Sequence, residues 1–240
     1  MNVERKVAVV TGAGSGIGRE TSLQLAQAGY HLMLVSRSRD KLETTARLAA
    51  KDAATGVDVD VRPTDLCNAQ HARNVATQTL KRFGRLDAVA NVAGYAPLVP
   101  IKHVTADMWQ KVVDTNLSSV VNLTAAAWPM LKQRGGIVVN VSSMASVDPF
   151  PGLAIYAAAK AGLNMLTRST AQEGQEEGIR AVAVAPGAVE TPMLRSLFDE
   201  SAIGKHQTLD PKAVAKVIVD CITGDRSFEP GQTILLPSPQ

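Results

Sequence analysis

Eight residues, Thr11 to Gly18, read TGAGSGIG and lie between the apolar run Val7 to Val10 and a helix-length stretch from Ile17 to Ala28. Glycines at 12, 16 and 18 let the backbone turn sharply, leave room for an anion to approach main-chain amides, and let the helix pack close to the strand. The helix start then points unpaired N–H groups and its positive dipole end at that anion. Four glycines in eight residues also make ordinary tight turns, so the weight rests on context: strand before, helix after, near the beginning of the chain.

The rest of the chain extends this pattern. Runs rich in β-branched and aliphatic residues recur at Val7 to Val10, Leu32 to Val35, Val57 to Val61, Ala88 to Ala90, Ile137 to Val141, Ala181 to Ala185 and Thr233 to Leu236. They are nearly continuous in apolar character, as strands covered on both faces are. Helix-length stretches separate them: Ile17 to Ala28, Asp40 to Ala53, Asn68 to Phe83, Ala106 to Lys132, Tyr156 to Glu176 and Pro211 to Thr223. Right-handed crossovers between parallel strands put helices on both sides, which predicts an α/β doubly wound, mostly parallel sheet of about seven strands, a Rossmann fold.

We expect one dinucleotide-binding domain over residues 1–240 with the chemical site built in, because no linker, repeat or low-complexity segment divides the chain. From Ala188 to Asp210 the pattern breaks around Pro192 and Gly204, so residues 188–210 are a candidate substrate flap. With 45% hydrophobic and 20% charged residues the chain has enough apolar material for a packed core. The net charge of +3 is spread along the sequence, which gives no reason to expect nucleic acid. No apolar run approaches the roughly 18 residues of a membrane span. Cys67 and Cys221 stand far apart, and His31, His71, His103 and His206 lack ligand spacing, so we expect no disulfide, no metal and a reducing cytoplasmic setting.

The second predicted strand ends Leu34-Val35-Ser36-Arg37. An acid at this place accepts from the ribose 2′-OH of NAD; a Ser and a guanidinium suit a 2′-phosphate instead, so NADP(H) is favoured with NAD(H) as the alternative.

Several further motifs occur in order. Asp65 follows the third strand; Gly84-Arg85-Leu86-Asp87 leads into Asn91-Val92-Ala93-Gly94; Asn116 follows Trp109; Ser142 and Ser143 close the fifth strand; Tyr156 and Lys160 form YxxxK; Pro186 to Thr191 reads PGAVET. Together with the glycine loop they resemble the compact form of the short-chain dehydrogenase/reductase family over nearly the whole chain. The resemblance implies cofactor contacts at Gly12, Ser15, Gly16, Ile17, Gly18, Ser36, Arg37, Asp65, Leu66, Asn91, Ala93, Gly94, Tyr156, Lys160, Pro186, Gly187, Val189 and Thr191. It implies a catalytic set of Asn116, Ser143, Tyr156 and Lys160, with Ser143 chosen over Ser142 by its distance from Tyr156. Lys160 would also bind the nicotinamide ribose, and Asn116 would hold a water linking Lys160 to solvent.

The residues themselves suggest the chemistry. Tyr156 and Lys160 are four apart, so both project from one helical face. A nearby ammonium favours phenolate, bringing a phenol with an ordinary pKa near 10 toward working pH. Tyr156 would then exchange a proton with the oxygen of a ketone or aldehyde, with Ser143 hydrogen-bonding the same oxygen.

The family pattern is not complete. Val92 stands for the second Asn of the NNAG turn, Val182 for the Asn that commonly precedes Pro-Gly, and Ser15 for a frequent basic residue, which leaves Arg37 as the clear basic determinant. The usual Asp-Gly-Gly ending is replaced by Pro237-Ser238-Pro239. The loops Tyr95 to Ile101, Met144 to Ile155 and Met193 to His206, with Met144, Val147, Phe150, Leu153, Met193 and Leu197, predict an apolar cleft for a small hydrophobic carbonyl or alcohol substrate. The small apolar faces of Ser118 to Lys132 and Tyr156 to Glu176 predict core packing or a homo-oligomer, which the resemblance makes a dimer or tetramer. The competing readings are an NAD-dependent alcohol dehydrogenase and a catalytically silent dinucleotide-sensing regulator.

Overall fold

The computed structural model describes residues 4–239. Seven strands, β1 (Val7–Thr11), β2 (His31–Ser36), β3 (Val59–Pro63), β4 (Ala88–Asn91), β5 (Ile137–Val141), β6 (Arg180–Pro186) and β7 (Thr233–Leu236), form one sheet in the order β3-β2-β1-β4-β5-β6-β7. Every pairing is parallel, so the sheet goes one step beyond the mostly parallel expectation. The expected strands lie within about two residues of their observed ends.

The core follows from the two-residue period of a strand. Ala8, Val10, Leu32, Leu34, Val139 and Val184 point to one face and pack with Leu25, Leu42 and Ile218. Val7, Val9, Met33, Val89, Val138 and Ala181 point to the other and pack with Val75, Leu123, Ala127 and Leu131. Continuous apolar runs are therefore two interleaved half-cores. Each fully buried Leu or Ile contributes about 2 kcal/mol of burial free energy.

On the first face lie α1 (Gly16–Gln27), α2 (Arg39–Asp52) and α8 (Pro211–Thr223); on the second lie α3 (Ala69–Phe83), α5 (Ser119–Lys132) and α6 (Ala154–Gly174). Asn68 is the cap of α3, its side chain accepting from the N–H groups of Gln70 and His71. The strand order reverses between β1 and β4, and a crevice opens there beyond the carboxyl ends of the strands.

One expected helix is not continuous. The stretch Ala106 to Lys132 divides into α4 (Ala106–Val113), a π-helical segment Asp114–Ser118, and α5. A π turn leaves a carbonyl without its usual donor four residues on. Asn116 supplies that donor, its Nδ2 bonding the Val112 carbonyl at 2.9 Å.

Residues 188–210 contain the short helix α7 (Pro192–Arg195) and fold back on their own base through a parallel bridge between Val189 and Leu209. The Arg195 guanidinium pairs with Glu190 and donates to the Ile203 carbonyl at 2.8 Å. Among the described residues no helix is long and apolar enough to cross a membrane, and no group of His, Cys, Asp or Glu has the makings of a metal site.

Candidate active site

At the crevice the glycine loop adopts the backbone that its composition allows. Gly12 and Gly16 have φ of +65° and +51°, left-handed values that other residues rarely adopt. A Cβ on Gly12 would lie 2.8 Å from the Ala93 amide nitrogen, and one on Gly18 would strike the Gly12 carbonyl. Ser15 caps α1 without a side-chain hydrogen bond, so the helix start faces the crevice with its own N–H groups. Thr11 closes the floor: its Oγ1 accepts from the amides of Val92 and Ala93 at 2.9 and 3.0 Å. With this link in place, the Val92 departure does not open the turn.

A cleft of about 700 Å³ runs from this loop across the ends of β1, β2 and β4. Of the residues expected to meet a cofactor, Gly12, Ser15, Gly16, Ile17, Gly18, Ser36, Arg37, Asp65, Leu66, Ala93, Gly94 and Thr191 line it. The others stand outside that lining. Asn91 is buried and donates to Asn140 Oδ1 at 2.9 Å; Pro186 ends β6; the Gly187 N–H is bonded to the Leu236 carbonyl at 2.9 Å; Val189 is buried against the first half-core. Tyr156 and Lys160 lie beyond Gly94 at the inner end.

The end of the cleft at β2 holds more positive charge than Arg37 alone. Lys41, on the first turn of α2, also lines the cleft with Ser36, Arg37 and Ser38. A Cβ on Gly14 would lie 3.0 Å from Lys41 Cβ and 3.2 Å from Ser36 Oγ, so the three residues converge. The sequence signal for Lys41 was its place four residues after Arg37, at the start of the helix following β2. Asp65 is held below its ordinary carboxylate value, first by the Cys67 N–H at 3.0 Å, with the Arg37 charge adding to it. Burial pushes the nearby Cys67 thiol up to about 11, away from thiolate reactivity.

At the inner end the two serines separate by role. The Ser142 hydroxyl is buried and spent on the Lys160 carbonyl at 3.2 Å. Ser143 Oγ accepts from the Ala145 N–H at 3.1 Å and lies close enough to the Tyr156 phenol to lower its pKa. Ser143 is thus the serine at the phenol.

The expected electrostatics are reversed in the folded protein. Burial raises the Tyr156 phenol above its ordinary value, and the Ser143 hydroxyl pulls it only part of the way back. Burial lowers Lys160 to about 7. Its Nζ donates to the Val141 carbonyl at 2.7 Å and sits 5.6 Å from the centre of the Tyr156 ring. Desolvation wins because Lys160, 2% exposed, has a neutral carbonyl as its bonded partner and no carboxylate.

Asn116 is bonded to main chain on both sides of its amide. Besides Val112, its Nδ2 donates to the Tyr95 carbonyl at 2.7 Å, and its Oδ1 accepts from the Tyr95 N–H at 3.2 Å. Both Nδ2 hydrogens are thus spent on main-chain carbonyls, and the second lone pair of Oδ1 is the side chain's remaining capacity. Asn116 fixes the turn after Gly94: a Cβ on Gly94 would lie 3.1 Å from Asn116 Oδ1, 3.7 Å from Lys160 Nζ and 3.7 Å from Met193 Cε.

A buried polar chain holds the site from behind. Asn91 donates to Asn140, Asn140 Nδ2 to Thr167 Oγ1 at 2.9 Å, and Thr167 to the Leu163 carbonyl at 2.7 Å. It ties β4 and β5 to α6, which carries Tyr156 and Lys160. Single polar residues in apolar strands gave no hint of this chain before the sheet aligned them.

Apolar side chains also meet residues 188–210. Gly152 sits against Leu98, and the Phe150 ring meets Phe198 edge-on at 5.5 Å between centroids. The residue from the 188–210 segment that meets Phe150 is thus Phe198, next to the expected Leu197.

Comparison with known proteins agrees with this geometry. The profile of the short chain dehydrogenase family matches residues 6–202. The chain is 34% identical to a 3-oxoacyl-[acyl-carrier-protein] reductase FabG of Thermotoga maritima over 98% of this chain and 97% of that protein. Among solved structures it resembles levodione reductase with a TM-score of 0.90 at 29% identity, covering 97% of this chain and 96% of that one. It resembles an actinorhodin polyketide ketoreductase solved with NADPH with a TM-score of 0.89 at 27% identity, covering 99% and 98%.

Proposed function

This chain belongs to the short-chain dehydrogenase/reductase family and is an oxidoreductase, and from that premise we propose that it reduces a ketone or aldehyde to an alcohol with NADPH, Tyr156 giving the proton. The observation that carries this reading is the Tyr156 phenol beside Ser143 and Lys160, with Lys160 Nζ next to Gly94 on the wall of the cleft that holds the glycine cradle.

The cradle suits a dinucleotide. Gly12, Gly16 and Gly18 remove the side chains that would fill the space over the α1 N-terminus, where a pyrophosphate is stabilised. Ser36, Arg37 and Lys41 present a hydroxyl and two cations to a ribose 2′-phosphate. NADPH is therefore favoured over NADH, as the NADPH in the actinorhodin ketoreductase structure also suggests. When bound, the nicotinamide supplies the hydride.

The chain's own residues do the rest. Ser143 donates a hydrogen bond to the carbonyl oxygen and holds the carbonyl in place. Tyr156, kept protonated at neutral pH by its surroundings, gives its proton to that oxygen as the carbon becomes an alcohol carbon. Lys160, poised near 7, exchanges a proton close to neutrality and can restore the phenol. Asn116 keeps Gly94 and Tyr95 in place beside it.

The rim of Leu98, Val147, Phe150, Met193 and Phe198 suits a hydrophobic carbonyl compound. Residues 188–210 serve as a flap over it. Val121 on α5 and Met165 on α6, 43% and 57% exposed, offer apolar surface to a second copy of the chain. Incubating the purified protein with NADPH and a panel of cyclic and aromatic ketones tests the reading. Loss of NADPH absorbance with stoichiometric alcohol is expected; tight NADPH binding with no turnover on any ketone would favour the sensor instead.

A further inference from the structure

Residues Pro237-Ser238-Pro239 follow β7, and this segment reaches the cleft through one loop. Just past β7, the Ser238 Oγ accepts from the Ala188 N–H at 2.7 Å. The neighbouring Gly187 N–H donates to the Leu236 carbonyl at 2.9 Å. The contact is close enough to require glycine: a Cβ on Gly187 would lie 2.8 Å from the Ser238 nitrogen and closer still to its hydroxyl.

On its other side the same loop is bonded to the base of the 188–210 segment. Leu209 donates to the Ala188 carbonyl at 2.8 Å, and Glu190 donates to the Leu209 carbonyl at 3.0 Å. The loop is thus a middle ribbon between tail and flap base. It leads directly to Thr191, whose Cγ2 would lie 2.9 Å from a Cβ on Gly16, and Thr191, Pro192 and Met193 form one wall of the cleft.

The tail sequence suits this work. Proline locks its own φ and biases the residue before it to extended backbone. Pro237 and Pro239 therefore hold residues 236–239 extended as a continuation of β7, and little chain entropy is lost on docking. Ser238 is the one residue of the three with a side chain able to accept a hydrogen bond.

We propose that Ser238 is a positioning residue for the dinucleotide: by holding the Ala188 amide it sets the distance between the Thr191–Met193 wall and the glycine loop, and so sets cofactor affinity. The inference rests on the dinucleotide reading of the cleft. Ser238 touches neither the glycine loop nor the Tyr156 centre, so its removal changes affinity and leaves the chemical step intact.

The test uses the full chain, with NADPH and NADH titrated by fluorescence and steady-state constants measured on any ketone turned over. Ser238→Ala is expected to weaken binding of the preferred dinucleotide about three- to ten-fold, with kcat at saturating cofactor within about two-fold. Gly187→Ala is expected to weaken binding in the full chain, yet to cost nothing further in a chain ending at Pro237, because the clashing partner is gone. Ser238→Ala binding within about two-fold of the unmodified chain, or equal losses from Gly187→Ala with and without the tail, would overturn the inference. If the unmodified chain binds neither dinucleotide, the dinucleotide reading itself falls, an outcome separable from the first because it needs no variant.

Discussion

Lys160 donates to the Val141 carbonyl at 2.7 Å, so the helix that carries the YxxxK pair is fastened by its lysine to the end of the fifth strand. This bond gives the amine, buried at 2% exposure, its neutral partner, while burial itself lowers its affinity for a proton to about 7. An unfolded lysine titrates near 10.4. Between those values the unfolded chain binds a proton that the folded chain does not, so stability rises with pH across that window and levels off outside it. Urea midpoints of the cofactor-free protein should increase from about pH 7 to about pH 9.5, and the increase should be smaller in Lys160→Met. An equal increase in that variant would show that other groups cause it. Above about 10 the raised Tyr156 acts in the opposite sense, because the unfolded phenol ionises first.

Replacing Tyr156 by Phe removes the proposed proton donor and keeps the ring. We expect kcat for ketone reduction to fall at least about 10³-fold while the NADPH dissociation constant changes little. Turnover retained in Tyr156→Phe would move the proton donor elsewhere. In the unmodified enzyme, reduction should slow and alcohol oxidation quicken as pH rises, since oxidation needs the phenolate.

Arg37 and Lys41 face the same end of the cleft. Each alanine variant should weaken NADPH binding about ten-fold and leave NADH binding nearly unchanged, and the double variant should bring the two affinities close together. Isothermal titration with both cofactors measures this. A uniform loss for both dinucleotides would place the two cations on the pyrophosphate or on the fold.

Asn140 is the middle of the buried chain from Asn91 to Thr167. In Asn140→Ala both neighbours lose a partner in the core, with a loss of about 2 to 4 kcal/mol of stability read from denaturant midpoints. A loss below about 0.5 kcal/mol would mean that water or a repacked side chain replaces the amide.

The Phe150 and Phe198 rings meet edge-on at 5.5 Å, an arrangement worth about 1 kcal/mol beyond simple burial. Phe198→Ala should raise KM for bulky ketones more than for small ones, with little change in cofactor affinity. Equal effects across ketone sizes would remove the pair from the substrate opening.

Much of the fold was legible because it depends on local pattern. β5 and β7 were readable to the residue, since both are apolar runs bounded by turn residues. The glycine loop was readable because positive φ and close backbone approach select glycine. The break inside Ala106 to Lys132 was not, because a π turn has no composition of its own and is held by Asn116 bonding the Val112 carbonyl. Lys41 was missed for a related reason: a lysine on a first helical turn looks solvated until the sheet places it beside Ser36.

The amino-acid order alone determined the alternation of strand and helix and the glycine-lined gap at the first turn, and its resemblance to the family pointed to the proposed set Asn116, Ser143, Tyr156 and Lys160. These depend on residue type and spacing, which are properties of the chain before it folds. Only the tertiary structure decided the charge states and partners within that set. Burial and hydrogen bonding depend on what surrounds a group in space: they raise Tyr156, lower Lys160, commit Asn116 to backbone, and bring Ser238 from the far end of the chain to the Ala188 amide.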